Sequence, residues 1–394
     1  MNRLLQWLAP SAAHDNTREQ KSAGSALVAI HAATNPVWSA MEASGSNVRC
    51  FNNPIVYRCV RMISEAAASV PWLAVENQVE MDGHPLVNLL ASPNPFTAGS
   101  QFMESVYGHL LLSGNAYLVN VTIGDEVKEL HFLDPGRVVA ISDDNGWPSE
   151  YEYLNGSTCV RYCANSDKRQ ILHLNLFNPF DAKCGMSPLG AAHMAVDIHN
   201  AASSWNKALL DNSARPSGAL VYASSGGENL SQDQLDRLKT ELEQGYSGAS
   251  RAGRPMLLEG GLDWKAMGYS PRDMDFLEAK NGAAREIALA FGVPPMLLGI
   301  PGDNTYSNYV EANRAFWRQT VLPLVEKTSQ ALSNWLGNFY SGNPFLKPDL
   351  ENVEALGSDR QARWARIESA TFLTVNEKRE ALGYAALGDG HDEL

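Results

Sequence analysis

The segment Phe291–Gly299, reading FGVPPMLLG, constrains this chain more than any other. An apolar helical pattern runs into it, and Pro294 and Pro295 stop that helix, because each lacks an N–H and restricts the residue before it. An apolar turn follows, and YSNYVEANRAF at 306–316 begins a long new helix. Nothing in FGVPPMLLG is nucleophilic, acidic or metal-binding. Gly292 and Gly299 give the ends of the connection conformational freedom while the prolines stiffen its start. A shaped, rigid joint between two helices suits a mechanical role better than a catalytic one.

The chain has 394 residues, room for two or three domains. Hydrophobic residues make up 44% and charged residues 19%, which excludes a disordered chain. The net charge of −13 argues against a protein that grips nucleic acid over its whole surface. It does not exclude one that DNA slides past, since a mildly repulsive wall avoids sticking. Five cysteines, an odd number, do not suggest a secreted disulfide scaffold. The apolar run in MNRLLQWLAP is shorter than a signal-peptide core, and no apolar run is long enough to span a membrane. The expected compartment is a reducing cytoplasm, or a particle assembled there.

Residues 1–52 show little periodicity and read as a mobile arm or a segment ordered only by partners. Pro54 opens a helix with Val56, Val60, Ile63 and Ala67 on one face, and WLAVE after Pro71 reads as a strand. Phe102, Val106, Leu110 and Leu111 form a second helical face, ended by Gly114. Residues 115–178 read as one antiparallel sheet, with DDNG at 143–146 as a hairpin turn. Ser187-Pro188 starts an alanine-rich helix that runs to about Asn212. Residues 216–268 read as a small α/β insertion, with a capping box at Ser231 and Gln234, a buried stripe of Leu235, Leu238 and Leu242, and a hairpin about Gly260-Gly261. Ser270-Pro271 opens a helix carrying Phe276, Leu277, Ala284, Ile287 and Phe291. Asn308 and Glu311 are cap candidates for the next helix, which reaches about Phe339 with a kink near Pro323. DRQARWARIESA is helical, and Thr374 with Glu377 caps a short last helix.

Reactive side chains do not cluster along this map. Cys159 and Cys163 lie near His173 and Cys184, but a zinc site needs four ligands in tighter pairing, so packed structural thiols are the better reading. His193 and His199 read as surface or interface residues on different helix faces, and His109 as packed on the sheet. Asp143 and Asp144 read as turn residues. The phosphate-binding, zinc-protease and serine-hydrolase signatures are absent from the sequence. No cofactor and no metal is expected.

The stretches NPIVYRCVRMISEAAASVPW, HPLVNLLASPNPFTAGSQFMESVYGHLLLSGNAYLV, GMSPLGAA with NSARPSGAL, FLEAKNGAAREIALAFGVPPMLLGIPGDNTYSNYVEANRAF and TFLTVNEKREALGY occur in that order. In them the chain resembles the portal proteins of tailed bacteriophages, in the lambdoid-type compact family, across residues 53–390. A domesticated gene-transfer particle would carry a portal that looks the same. The resemblance implies an α+β portal fold with wing, stem, clip, tunnel loop and short crown. It implies a homo-oligomeric, usually dodecameric, ring at one capsid vertex, with double-stranded DNA passing through its channel. It further implies contact with the major capsid protein, the large terminase and then a head-completion or connector protein, with no membrane and no catalysis. By the same resemblance 53–186 is wing, 187–215 and 271–291 are stem helices, 216–270 is clip, and 292–308 is tunnel loop. Residues 309–349 are then the long wing helix and linker, and 350–394 a short crown.

The implied channel residues are Pro294, Pro295, Met296, Leu297, Leu298, Gly299, Ile300, Asp303 and Asn304. For Met296 to Leu298, anchoring within their own subunit stands as an equal alternative. Lys280 and Arg285 either touch phosphates or pair across subunits. Leu235, Leu238, Leu242, Arg251 and Arg254 are implied at the docking face of the clip. Two other readings stay open: an enzyme acting on nucleic acid, and a capsid or adaptor protein without a channel.

Overall fold

Asn53 and Pro54 show how local chemistry sets the first long element. Pro54 occupies the first helical position, where no intrahelical N–H is needed, and the Asn53 side chain accepts from the N–H groups of Ile55 and Val56. The helix α1, Pro54–Ala68, buries Val56, Cys59, Ile63 and Ala67. Cys59 rather than Val60 therefore completes the buried stripe, and burial pushes its thiol pKa up to about 12, an inert thiol.

The computed structural model describes residues 26–29, 52–77, 79–143, 147–155, 158–164, 168–181, 183–211, 218–222, 231, 233–234, 236–237, 240, 262–266, 276–302, 306–351, 353–382 and 387–388. The chain divides into two units, Met1–Trp38 with Ser204–Asp275, and Ser39–Ser203 with Phe276–Leu394.

In the first unit β1, Ala26–Ala29, pairs antiparallel with Gly218–Tyr222, which pairs in turn with Leu262–Ala266. ALVA, read from sequence as part of an aperiodic arm, is thus a strand whose partner lies almost two hundred residues away. Ser231 and Gln234 form the expected reciprocal capping pair, at 3.0 and 3.4 Å. Leu235, Leu238, Leu242, Arg251 and Arg254, with the first half of the hairpin about Gly260, lie outside the described residues.

The second unit continues from α1 through β2 (Trp72–Glu76), β3 (Val79–Met81), α2 (Pro85–Ala91) and α3 (Gly99–Ser113). Then come β4 (Asn115–Ile123), β5 (Glu126–Leu133), β6 (Val138–Ser142), β7 (Pro148–Asn155), β8 (Thr158–Cys163) and β9 (Ile171–Asn175). These six strands form two antiparallel sheets, β5-β4-β9 and β6-β7-β8, not one. The division falls at Asp134, whose carboxylate caps a 3-10 turn over Pro135–Arg137 and redirects the chain. β4 serves two cores. Ala116 and Leu118 join α1 and α3 in the main one, while Tyr117 and Val119 meet Leu133, Ile171 and Tyr151 of the second sheet. A strand covered on both faces reads as a continuous apolar run, which AYLV is.

The turn after β6 holds Asp143, whose carboxylate accepts from the N–H of Trp147 at 2.9 Å, as a turn residue should. His109 stacks on Phe132 of β5, ring centres 4.5 Å apart. Cys159, Cys163 and Cys184 are exposed, which corrects the reading of packed thiols: β8 is an edge strand with one open face. His199 is also corrected. It is buried, and its Nδ1 accepts from the Asn53 amide at 3.1 Å. Burial, reinforced by the charge of Lys280, lowers its pKa.

Among the described residues no group of His, Cys, Asp or Glu could hold a metal ion. No described helix is long and apolar enough to cross a membrane.

Candidate functional site

The joint that stood out in the sequence leads from α6 (Phe276–Ala290) to the helix Tyr306–Phe316, with α4 (Pro188–Ala191) and α5 (His193–Asp211) earlier in the chain. α6 turns Ala283, Ala284, Ile287 and Ala288 inward, while Leu277 and Leu289 are 72% and 79% exposed. Leu277 thus lies off the buried face to which the sequence pattern assigned it.

Two turns of one kind shape the joint. Gly292 is left-handed, φ +68°; its N–H donates to the Leu289 carbonyl at 3.0 Å and that of Val293 to Ala288 at 2.9 Å. This is the paired arrangement that closes a helix on a glycine. Pro294 and Pro295 therefore do not themselves end α6. They hold Val293 extended, and Gly292 makes the stop just upstream.

A 3-10 turn follows over Pro295–Leu298. Gly299, φ +71°, repeats the arrangement: its N–H donates to Met296 and that of Ile300 to Pro295, both at 3.2 Å. Each glycine is followed by a buried apolar residue, Val293 and Ile300, which anchors the turn.

Ile300, only 5% exposed, packs with Ala284 and Ala288 of α6, with Ile55 and Leu298 alongside. Leu297 and Leu298 lean on the main core, and Met296 is half-buried. Anchoring within the subunit, one of the two alternatives for this stretch, accounts for Leu297 and Leu298. Ile300 shares that arrangement. Pro294 and Pro295 are half-buried, and Gly299 is exposed. Asp303 and Asn304 lie outside the described residues.

Two side chains outside FGVPPMLLG, Arg285 and Thr320, hold the joint in place. The exposed Arg285 donates from Nη2 to the Pro301 carbonyl, so at least one of its donors serves its own subunit. Thr320 donates from Oγ1 to the Gly292 carbonyl at 2.6 Å. Thr320 sits in a π-helical turn, Trp317–Val321, between α7 (Tyr306–Phe316) and α8 (Leu322–Leu336). There the N–H of Leu322 reaches back to Trp317, and Pro323, lacking an N–H, follows at the start of α8. The irregularity expected near Pro323 is this wider turn. α7 begins at Tyr306, so Asn308 and Glu311 lie inside the helix instead of capping it, and Glu311 pairs with Arg314 at 3.4 Å. Lys280 is half-buried on α6 and acts on His199.

The joint thus has rigid ends, an apolar anchor and polar straps, and none of the side chains described in it forms a nucleophile–base pair. Residues 54–383 match the family model described as phage portal protein. The chain belongs to the phage portal protein family. Its function is that of a portal, a structural part of a phage-type particle, and its α+β fold is the portal fold.

Among solved structures it resembles the neck of an empty GTA particle computed with C6 symmetry, at 47% identity and a TM-score of 0.71, covering 90% of this chain and 96% of that one. The neck of the native GTA particle computed with C12 symmetry matches at 46% identity and a TM-score of 0.69, covering 90% and 97%. The portal protein of Enterobacteria phage HK97 is 26% identical over 306 residues, covering 75% of this chain and 69% of that protein.

Proposed function

We propose that twelve copies of this subunit form a ring at one vertex of a gene-transfer or phage particle, and that double-stranded DNA is packaged and released through its central channel. The observation that carries this reading is near-full-length similarity to a neck computed with twelvefold symmetry, joined to a preshaped apolar turn over Pro295–Leu298. Exposed apolar side chains support side-to-side contacts: Met194 and Ile198 on α5, and Leu277 and Leu289 on α6. Two such groups on each helix are the kind of uncovered apolar surface that a neighbouring copy would bury.

In this reading 1–52 is an arm, 53–186 the wing, 187–215 and 271–291 the stem, and 216–270 the clip. Residues 292–308 form the tunnel loop, 309–349 the long helix and its linker, and 350–394 the crown. Leu297, Leu298 and Ile300 are the roots of the loop, while Met296, Gly299, Asp303 and Asn304 border the channel. The clip, with Leu235, Leu238, Leu242, Arg251 and Arg254, docks the large terminase and then the connector, and the wing meets the major capsid protein. The subunit carries no catalytic activity of its own.

Particles produced without this chain test the proposal. They should contain no nuclease-protected DNA, and supplying the chain in trans should restore it. Protected DNA at the normal level without the chain would overturn the reading. Incubation of the purified protein with duplex DNA and magnesium or manganese should leave the DNA uncut; cleavage would favour the enzyme alternative.

A further inference from the structure

Away from the loop, the second unit contains a cavity of about 690 Å³ with an unusual charge. Its lining brings together Arg314 of α7, Arg318 of the π-helical turn, and Arg360, Arg363 and Arg366 of α9 (Gly357–Glu368), with Trp364 beside them. Glu351 is the carboxylate among the described lining residues. The whole chain carries −13, so this concentration of guanidinium groups runs against its overall balance.

Some of the five are held by their own subunit. Arg314 reaches Glu311 at 3.4 Å, and Arg363 donates to the Ala381 carbonyl at 2.6 Å, fixing α9 against the last helix, α10 (Val375–Ala381). Arg360 and Arg366 have no ion pair among the described residues.

Like charges gathered around one concavity repel one another, and a polyvalent anion relieves that repulsion. The planar forks of arginine suit phosphate oxygens, two N–H groups to one phosphate. Trp364, 48% exposed, adds a flat face beside the charges. Forks spread over three elements match a repeating phosphodiester chain better than a single small anion.

We infer that this cavity is a second DNA-binding site, gripping backbone phosphates of the duplex independently of sequence. The inference rests on the reading that DNA passes this subunit, and it adds a charged grip apart from the apolar-rooted loop. Phosphate bonds of this kind fix position and carry no base specificity.

Fluorescence anisotropy of a labelled duplex on the purified full-length protein, read across a salt series, tests it. The R360Q/R366Q protein should bind at least tenfold more weakly at low salt. Its slope of log affinity against log salt should be shallower by about 2, one for each phosphate no longer neutralised. R360K/R366K should recover most of the slope, which separates removal of charge from damaged folding. R61Q/R161Q, on other surfaces, should bind like the parent. Equal affinity and slope for R360Q/R366Q and the parent would overturn the inference, as would displacement of the duplex by polyglutamate as effectively as by unlabelled DNA. Micrographs of the same samples keep the two readings apart: rings with unchanged affinity sink this site and leave the portal assignment standing.

Discussion

His173 shows how a side chain that reads as a metal-ligand candidate becomes a structural pin. Its Nε2–H donates to Asn115 Oδ1 at 2.9 Å, its Nδ1 accepts from the Tyr151 hydroxyl at 3.2 Å, and its ring stacks on Tyr117. Both nitrogens are used by the neutral ring, and burial lowers its pKa to about 4. The unfolded chain therefore binds the proton first as pH falls. This contribution to stability is complete above about pH 6.5 and is lost between there and about pH 4, on the order of 3 kcal/mol in all. His109 and His199, also lowered by burial, act in the same direction. Unfolding by urea should show a falling midpoint from pH 7 to pH 4.5, with a flatter profile in His173→Gln. An unchanged profile in that variant would remove His173 from the account. The sequence does not show any of this. His199 and Asn53 are 146 residues apart, and what makes a histidine buried and neutral is the partner that the fold delivers.

Local elements were more readable where one signal acted alone. Pro54 after Asn53, Gly114 after an apolar helix, and Thr374 with Glu377 each name a helix end, and each stands in the structure. FGVPP carries two stop signals in succession, and the glycine acts first because a residue before proline resists helical geometry. The strand Phe345–Pro348 escaped notice because four residues carry no usable period; it is made by pairing with Trp72–Glu76 and by Ser329 and Ser333 bonding Leu346. The site was legible as a rigid joint, but its straps, Thr320 and Arg285, come from outside the motif.

The two glycines of the joint make a graded prediction. Gly299→Ala meets open space and bears only the cost of left-handed backbone, about 1 kcal/mol. Gly292→Ala bears that cost and also brings a Cβ to 2.7 Å from Thr320 Oγ1, the group that straps the turn. Gly292→Ala should therefore lower the urea midpoint more than Gly299→Ala does. The reverse order would contradict the strap.

For the molecule as a whole, the acidic balance, the exposed apolar residues on α5 and α6 and the anchored loop all make sense in a ring and little in a lone subunit. The division of 115–178 into two sheets makes a second small core, in which Tyr151 of β7 packs on Tyr117, Val119, Leu133 and Ile171 of the first sheet. A ring of copies around an open channel should stand at one place on the particle. Cryo-electron microscopy of intact particles tests it most directly: the account predicts density for this chain at a single vertex, as a twelvefold ring with an open axial channel around DNA. The same chain spread over the shell, or gathered at the vertex with no axial channel, would contradict it.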